Sequence, residues 1–600
     1  MKRFFAILAL CLLLCGCGRE QTPPPPDLPD GSVVHVDTDA MPYSPETLFE
    51  QLFDLGNKIS FRLDMTESEI AKMQRDYEKY SSFGSKSPIY RMADLHVTLT
   101  NDQRTYTYII KQVGVRMKGN TSRTSFYNEQ EGIYNLIHLK LSFQETFDDP
   151  AYYGAEALQW EEQARTARKD RTFATLEKID LKWNKCDDTT YIKEHYAYEM
   201  YRENGVLAPH TNLVSLDWAG IHMGVCTFYE PIDKIFLEKN LPKKAQGGDL
   251  YKLGWTNEGA TFTSADSIGI EDEDAGKFYR YDLKTNKKTS AHESLRNLIA
   301  TLNSGALTKE RVAELVDMEN FLQYAAVSWF LGNPDDLRNN YNNCYIYFRG
   351  DTGKLMVIPY DYDRCLGVTK EWNPTGHGMT TDDPFTNMAL GAQQEQQNPL
   401  FLATVVKGGY YVREFAEALQ KVAASQRADS ARFAAEFAKA QASYASDARP
   451  NKHFHNAGGH RFTFALAAPG ENISFAEYVA YKKTTLTKTL QKLDEYASGA
   501  PQLPADLYIR AEFTDWNVKP GYEMKAEGDR FVFRLSGNRK MRFKVYSRAQ
   551  DNWFGSECLS ELTDVNWSTD DHTNIILPAG TYQVVFDPAD SSITVYTLGG

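Results

Sequence analysis

The sequence predicts an α+β protein that ends in a small all-β sandwich. Three observations lead there. The chain has 600 residues, too many for one hydrophobic core. Upstream of Ala497, alternating and helical apolar patterns interleave. Downstream of a Gly-, Pro- and Ser-bearing break, Ala497 to Ala505 (ASGAPQLPA), only short alternating runs remain. Apolar residues at 42% and charged residues at 24% are globular values and exclude a mainly disordered chain. The 66 basic and 80 acidic residues give a net charge of −14, the wrong sign for a surface that neutralises nucleic-acid phosphates. The 13% of aromatic residues favours β-rich packing or sugar-stacking surfaces.

The N-terminus reads as an export segment. Lys2 and Arg3 precede an apolar stretch, Phe4 to Leu14, too short to span a bilayer. The ending Leu14-Cys15-Gly16-Cys17 resembles the bacterial lipoprotein box, which implies acylation of Cys17 and anchorage to a membrane. Residues 1–17 are then the signal and residues 18–43 a tether, stiffened by QTPPPPDLPD at 21–30. The expected exported lipoprotein sits on the cell membrane or cell surface. Cys186, Cys226, Cys344, Cys365 and Cys558 are odd in number and form no CxxC pair, so neither a disulfide framework nor a zinc ribbon is expected.

The main domain is expected over 44–496. Ser44 to Tyr80 is polar and helical in pattern. Leu95 to Thr100 and Tyr106 to Met117 alternate around Asn101-Asp102, a hairpin signal, and Tyr134 to Phe143 reads as another strand. Asp148 to Lys169 reads as a charged helical surface insertion. Tyr191 to Asn204 is a helix with Thr189 or Thr190 as cap and Gly205 at its end. Asp317 caps a helix whose Met318, Phe321, Leu322, Ala325 and Trp329 share one face. Cys344 to Phe348 and Leu355 to Pro359 form a ribbon, and beyond Pro399 the chain is mostly helical. The break at 497–505 is the linker, and 506–600 carries the sandwich strands.

The densest polar text is Asn333-Pro334-Asp335-Asp336 through Asn342-Asn343, followed after the ribbon by Asp361-Tyr362-Asp363. Residues flanking a ribbon lie side by side, because cross-strand neighbours are about 5 Å apart. Asn342 and Asn343 should therefore approach Asp361, with Asp335 and Asp336 arriving from the preceding loop. Oxygen donors that converge without a shared cation repel one another, and an all-oxygen set suits Mg²⁺, Mn²⁺ or Ca²⁺. A solvated acidic loop is the alternative. A second text, Val113-Gly114-Val115-Arg116-Met117-Lys118-Gly119-Asn120-Thr121-Ser122, is a cationic strand ending in a turn that could cradle an anion.

These texts, with GVCTFYEPID at 224–233, Gly248-Asp249-Leu250-Tyr251-Lys252 and Ile358-Pro359-Tyr360-Asp361-Tyr362-Asp363, resemble the spore-coat protein H (CotH) kinase family over roughly residues 55 to 495. The resemblance implies an atypical protein-kinase-like domain that uses ATP with Mg²⁺ or Mn²⁺ and phosphorylates Ser or Thr of a secreted or envelope protein. It implies that Asp335 or Asp336 orients or deprotonates the acceptor hydroxyl, and that Asp361, Asp363 and Asn343 hold metal. Arg116, Lys118, Gly119, Asn120, Ser122, Lys140, Glu230 and Lys252 fall in the nucleotide-binding motifs. Where family members often carry a Lys-Lys pair, this chain keeps only Lys140.

The last segment resembles immunoglobulin-like starch-binding and SusE/SusF-type surface modules, which implies sugar contacts by Trp516, Lys544 and Trp553. The tryptophans could equally pack the sandwich. A kinase and a catalytically inactive, glycan-binding envelope scaffold are both compatible with the sequence.

Overall fold

The computed structural model describes residues 42–102, 104–119, 123–128, 133–256, 258–305, 307–368, 383–386, 398–449, 462–466, 473–503 and 505–598, with the short strands 33–35 and 454–455. The first sheet is built from β1 (Val33–His35), β2 (Lys58–Asp64), β3 (Arg91–Thr100), β4 (Thr105–Lys118), β7 (His138–Ser142), β8 (Lys178–Trp183), β9 (Thr211–Trp218) and β10 (Ile221–Tyr229). The short strands β5 (Tyr127–Asn128) and β6 (Ile133–Asn135) lie between β4 and β7 in the chain. The order is β1-β4-β3-β2-β9-β10-β8-β7, and β4 also pairs with β7, so the sheet closes on itself.

Closure depends on a bend in β4. Its first half lies between β3 and β1 and its second half between β3 and β7. At the bend Gln112 takes φ 52°, opposite a bulge between Ala93 and Leu95. Gly114 follows, where a Cβ would fall 2.9 Å from the Cβ atoms of Tyr90 and Glu145. The bend's carbonyls are taken by arginines. Arg171 donates to Lys111 O (2.6 Å) and Gln112 O (3.0 Å), and Arg168 also donates to Gln112 O. Arg168, within the segment 148–169, and Arg171 just after it thus secure the bend, so the segment is not a mere surface insertion. Its helices are the short pieces Pro150–Tyr153 and Glu162–Lys169.

Two further expectations change. The 44–80 region is not one helical stretch: helices Pro45–Leu52 and Glu67–Ser81 flank β2, whose Ile59, Phe61 and Leu63 alternate into the core. The strand expected over 134–143 is broken after Asn135, because consecutive Leu136 and Ile137 are both buried and interrupt the period-2 pattern.

A second sheet has the order β12-β13-β11-β14-β15, from β11 (Leu250–Leu253), β12 (Ile268–Gly269), β13 (Tyr281–Leu283), β14 (Cys344–Phe348) and β15 (Leu355–Pro359). The ribbon β14–β15 occupies the span read from the sequence, with Cys344 opposite Pro359. The helix Met318–Leu331 starts at Asp317, whose side chain accepts from Asn320 N at 3.3 Å. It is buried on all sides rather than on one face, Tyr324, Val327 and Phe330 included. Helices Lys193–Glu203 and Val412–Ala424 and strand β15 surround it. The helix Lys193–Glu203 is capped by Asp188, which accepts from Thr190 N and Lys193 N at 2.9 Å each, and not by a threonine.

Strand β16 (Phe454–His455) pairs in parallel with β6. The C-terminal part follows as two four-stranded sheets. One holds β17 (Leu507–Ala511), β20 (Met541–Ser547), β21 (Asn552–Phe554) and β22 (Ile575–Leu577). The other holds β18 (Lys525–Glu527), β19 (Arg530–Gly537), β23 (Gly580–Asp587) and β24 (Ser592–Thr597). Ile509, Phe543, Val545, Ile575, Val584 and Val595 form a core of their own between them. Contacts of the sandwich with the rest of the chain include Ala549, which joins the main core, Arg548, 3.9 Å from Glu258, and Phe531 beside Gly305. Among the described residues no helix is long and apolar enough to cross a membrane.

Candidate active site

The outer face of the closed sheet carries a charged row. On β4, β7 and β8 the apolar residues Val115, Leu139, Leu141, Ile179 and Leu181 point into the core, so their neighbours point out. The register puts Arg116 opposite Lys140 and Lys140 opposite Asp180. Lys118 donates to Asp180 at 2.6 Å, and Lys140 lies 3.7 Å from it. Across the gap stands the second sheet: Lys252 lies 4.8 Å and Lys118 5.2 Å from the ring centroid of Tyr360. Among the described residues no carboxylate lies within ion-pair distance of Lys252. Burial, with the charges of Lys86, Lys118 and Lys284, pushes its ammonium down to about 7. Burial likewise lowers Lys140 to about 8. Three of the residues implied for nucleotide binding, Lys118, Lys140 and Lys252, therefore gather around Asp180 and Tyr360, whereas Arg116 is held by Glu273 (3.0 Å) and Ser87 O (2.8 Å).

Tyr360 leads directly into the Asp-Tyr-Asp text. Lys182, on β8 two residues past Asp180, pairs with Asp361, with Asp363 at 3.3 Å and with Glu194 at 3.1 Å. Glu194 belongs to the first turn of the helix Lys193–Glu203. It also accepts from Tyr362 N at 3.0 Å and from the Tyr229 hydroxyl. Asp361 N donates to the Tyr198 hydroxyl at 2.8 Å. One helix thus holds both the backbone of 361–362 and the lysine that neutralises it. Burial alone would raise the Asp361 carboxyl, but Lys182 overrides it and holds it well below the carboxylate range. Burial raises Glu194, and Asp363 and Asp361 add to the rise against the pull of Lys182. Asp361 takes φ 62°, and Asn343 (46°) and Tyr341 (54°) share that sparsely populated region. Such backbone strain collects at functional sites.

The two candidate bases separate cleanly. Asp336 is 0% exposed and accepts from Ser328 Oγ (2.5 Å), Tyr362 OH (3.1 Å) and the backbone N–H groups of Arg338 and Asn339 (3.0 Å each). It ties the loop to the central helix and faces no acceptor. Asp335 is half-buried and accepts from Asn340 Nδ2 at 2.7 Å. Burial, together with the charges of Asp361 and Asp363, pushes its carboxyl up to about 6 against that hydrogen bond. Asn342 and Asn343 approach Asp335, not Asp361. Asn342 Nδ2 donates to its carboxylate (3.4 Å) and Asn343 Nδ2 to its carbonyl (2.8 Å). The amide that reaches Asp361 is Asn333, which donates to its carbonyl at 3.1 Å.

Other expected residues lie elsewhere. Glu230 is turned away from the cleft, bonded to His210 N (3.2 Å), His210 Nδ1 (2.7 Å) and Lys239 (3.1 Å), because it alternates with Tyr229, which faces Glu194. Gly119 ends β4 with φ 104°. Asn120, Ser122 and Cys17 are outside the described residues. In the sandwich, Arg510 lies 4.1 Å over the Trp553 ring and 4.4 Å over the buried Tyr546, Trp516 is 6.3 Å from Trp553, and Lys544 donates to Thr573 Oγ1 at 3.0 Å.

Lys182 and Glu194 escaped the sequence reading. A lysine in the apolar run Ile179-Asp180-Leu181-Lys182-Trp183 was the available signal, since a buried lysine requires a carboxylate partner. Among the described residues no three His, Cys, Asp or Glu side chains are grouped to hold a metal by themselves.

Two comparisons bear on this arrangement. The family described as CotH kinase protein matches residues 156–443, a narrower span than the motifs suggested. The match contains Lys182, Glu194, Asp335 and Asp361 and leaves the Arg116–Lys140 strands outside. Inner spore coat protein H of Bacillus subtilis (strain 168) is 26% identical over 226 residues, which are 36% of this chain and 59% of that protein. With the ordered motifs and these matches in hand, residues 156–443 carry a domain that matches the CotH kinase family.

Proposed function

We propose that the chain is an atypical protein kinase that transfers the γ-phosphoryl group of ATP to a Ser or Thr hydroxyl of a secreted or envelope protein. One observation carries the reading: Lys182 is shared between Glu194 of a helix and the carboxylates of Asp361-Tyr362-Asp363. Protein kinases need a Lys–Glu ion pair beside a metal-binding Asp, because phosphoryl transfer depends on charge neutralisation and alignment.

The donor chemistry fits a divalent cation. Three carboxylates share one lysine, and a fourth, Asp335, is driven toward its neutral form by burial and by the charges of Asp361 and Asp363, so a further cation would be favoured there. Mg²⁺ or Mn²⁺, held by Asp361 and Asp363 with phosphate oxygens completing the shell, would neutralise the charge that develops on the transferred group. Lys118, Lys140 and Lys252 bind and orient the phosphates. Asp335 accepts the proton of the acceptor hydroxyl as its oxygen bonds to the γ-phosphorus and the bond to the β–γ bridging oxygen breaks, releasing ADP.

A lipid anchor at Cys17 and an immunoglobulin-like, glycan-binding C-terminal module belong to the same proposal, and the spore-coat relative supports a surface location. The test incubates the full chain with labelled ATP, Mg²⁺ or Mn²⁺ and envelope proteins. Incorporation lost in Asp361→Asn and Lys182→Met supports the proposal. Absence of both incorporation and nucleotide turnover in the wild type leaves the inactive scaffold.

A further inference from the structure

Seven basic residues lie between Arg530 and Arg548 with no Asp or Glu among them, in a chain of net charge −14. Four of the seven have partners. Arg530 pairs with Asp587 (3.0 Å), Arg542 with Asp570 (3.2 Å) and Arg548 with Glu258 (3.9 Å), and Lys544 donates to Thr573 (3.0 Å). Among the described residues, the side chains of Arg534, Arg539 and Lys540 form no hydrogen bond or ion pair.

Those three line one cleft of 380 Å³ with the half-buried rings of Phe513, Tyr522 and Phe533 and one carboxylate, Glu512, so cations outnumber it three to one. The ring centroids of Phe513 and Tyr522 are 5.6 Å apart. Those of Tyr522 and Phe533 are 6.0 Å apart with planes inclined by 28°. The cleft forms where β19 ends and β20 begins. Contacts with the remainder of the chain include Phe531 beside Gly305, where β19 begins, and Arg548 and Ala549 just past the end of β20, and none of these residues lines the cleft.

We propose that this cleft binds an anionic polysaccharide, the rings stacking on sugar faces while Arg534, Arg539 and Lys540 meet its carboxylate or phosphate groups. Its volume lies within the range of about 300–1,000 Å³ typical of small-ligand sites, enough for one or two sugar units. Unpaired cations beside aromatic faces recognise a ligand that is both ring-shaped and charged. Three cations on an otherwise acidic protein make a short cationic track, whereas nucleic acid draws its affinity from many phosphates in series. The rings of Trp553 and Tyr546 are poorer platforms, since Arg510 already covers them.

Affinity electrophoresis of the full chain tests the site, through gels containing polygalacturonate, a polyglycerol-phosphate polymer or a neutral glucan. Single-stranded DNA serves as the non-sugar polyanion. Retardation by either charged polymer exceeding that by the neutral glucan is expected. Polygalacturonate alone would assign carboxylates, and the phosphate polymer alone would assign phosphates. Arg534→Gln/Arg539→Gln/Lys540→Gln should abolish it, Tyr522→Ala should weaken it roughly fivefold, and Trp553→Ala should leave it intact. Equal retardation by the neutral glucan overturns the proposal, as does retardation by neither charged polymer or an unaffected triple variant. DNA binding as tight as the glycan's and indifferent to Tyr522→Ala also overturns it. Should Tyr522→Ala fail to fold, the triple variant decides alone, because its side chains are exposed.

Discussion

The two sides of Tyr360 are built from opposite surpluses. On the Asp361 side, Asp361, Asp363 and Glu194 divide one lysine among them. On the Lys252 side, Lys118 and Lys140 divide Asp180, while Lys252 lies against the Tyr360 ring with no ion-pair partner among the described residues. Under the proposed function each side supplies what the other lacks: a metal–polyphosphate complex would bring the cation to one and the anions to the other. Burial makes the shortfall consequential, because unlike charges in a low-dielectric cleft interact several-fold more strongly than in water.

The comparison breaks most readily on the carboxylate side. Asp361→Asn should lower phosphoryl transfer by roughly 10³-fold, as expected when several kcal/mol of charge stabilisation at the transferring group are lost. A steady-state assay with Mn²⁺ and ATP that finds less than a tenfold loss would remove Asp361 from the site. Lys182→Met should be the most destabilising change, by about 3–5 kcal/mol in urea unfolding, because it leaves Glu194 and Asp361 buried without a counter-charge. Unchanged stability would mean that the ion pairs do not hold the helix to the Asp-Tyr-Asp turn.

A sharper contrast separates adjacent residues. Asp335→Asn should lower activity by roughly 10²-fold or more, the usual worth of a general base, while leaving the melting temperature in place. Asp336→Asn should instead cost about 1–3 kcal/mol of stability, since it disturbs four accepted hydrogen bonds in a sealed site. The reverse outcome would exchange their roles.

The smallest effect lies on the cation side. Lys252 titrates near 7 when folded and at about 10.4 when unfolded. Between those values the unfolded chain holds more protons, so this group makes stability rise with pH across that window. Lys252→Met should flatten the pH dependence of the melting temperature between pH 7 and 10. Parallel curves for the two proteins would show that the lysine has a counter-charge in solution.

Local pattern carried much of the fold. The ribbon β14–β15, the cap at Asp317 and most strands of the sandwich follow from alternation, capping chemistry and turn residues, which act within a few positions of the chain. The same logic brought Asp335, Asn343 and Asp361 into one neighbourhood. It placed the amides on the wrong aspartate, because ribbon pairing sets backbone proximity but not the direction in which a loop side chain turns.

By itself the sequence determined the order of elements, the family texts and the supply of carboxylates and cations. Tertiary structure decided which charge meets which. Lys182 and Glu194 sit in separate elements that only the closed sheet and the docked helix bring together, and Asp336 became structural because the helix carrying Ser328 sealed it from solvent. Such pairings are chosen by the desolvation of buried ions, a cost that appears only once distant parts of the chain pack against one another.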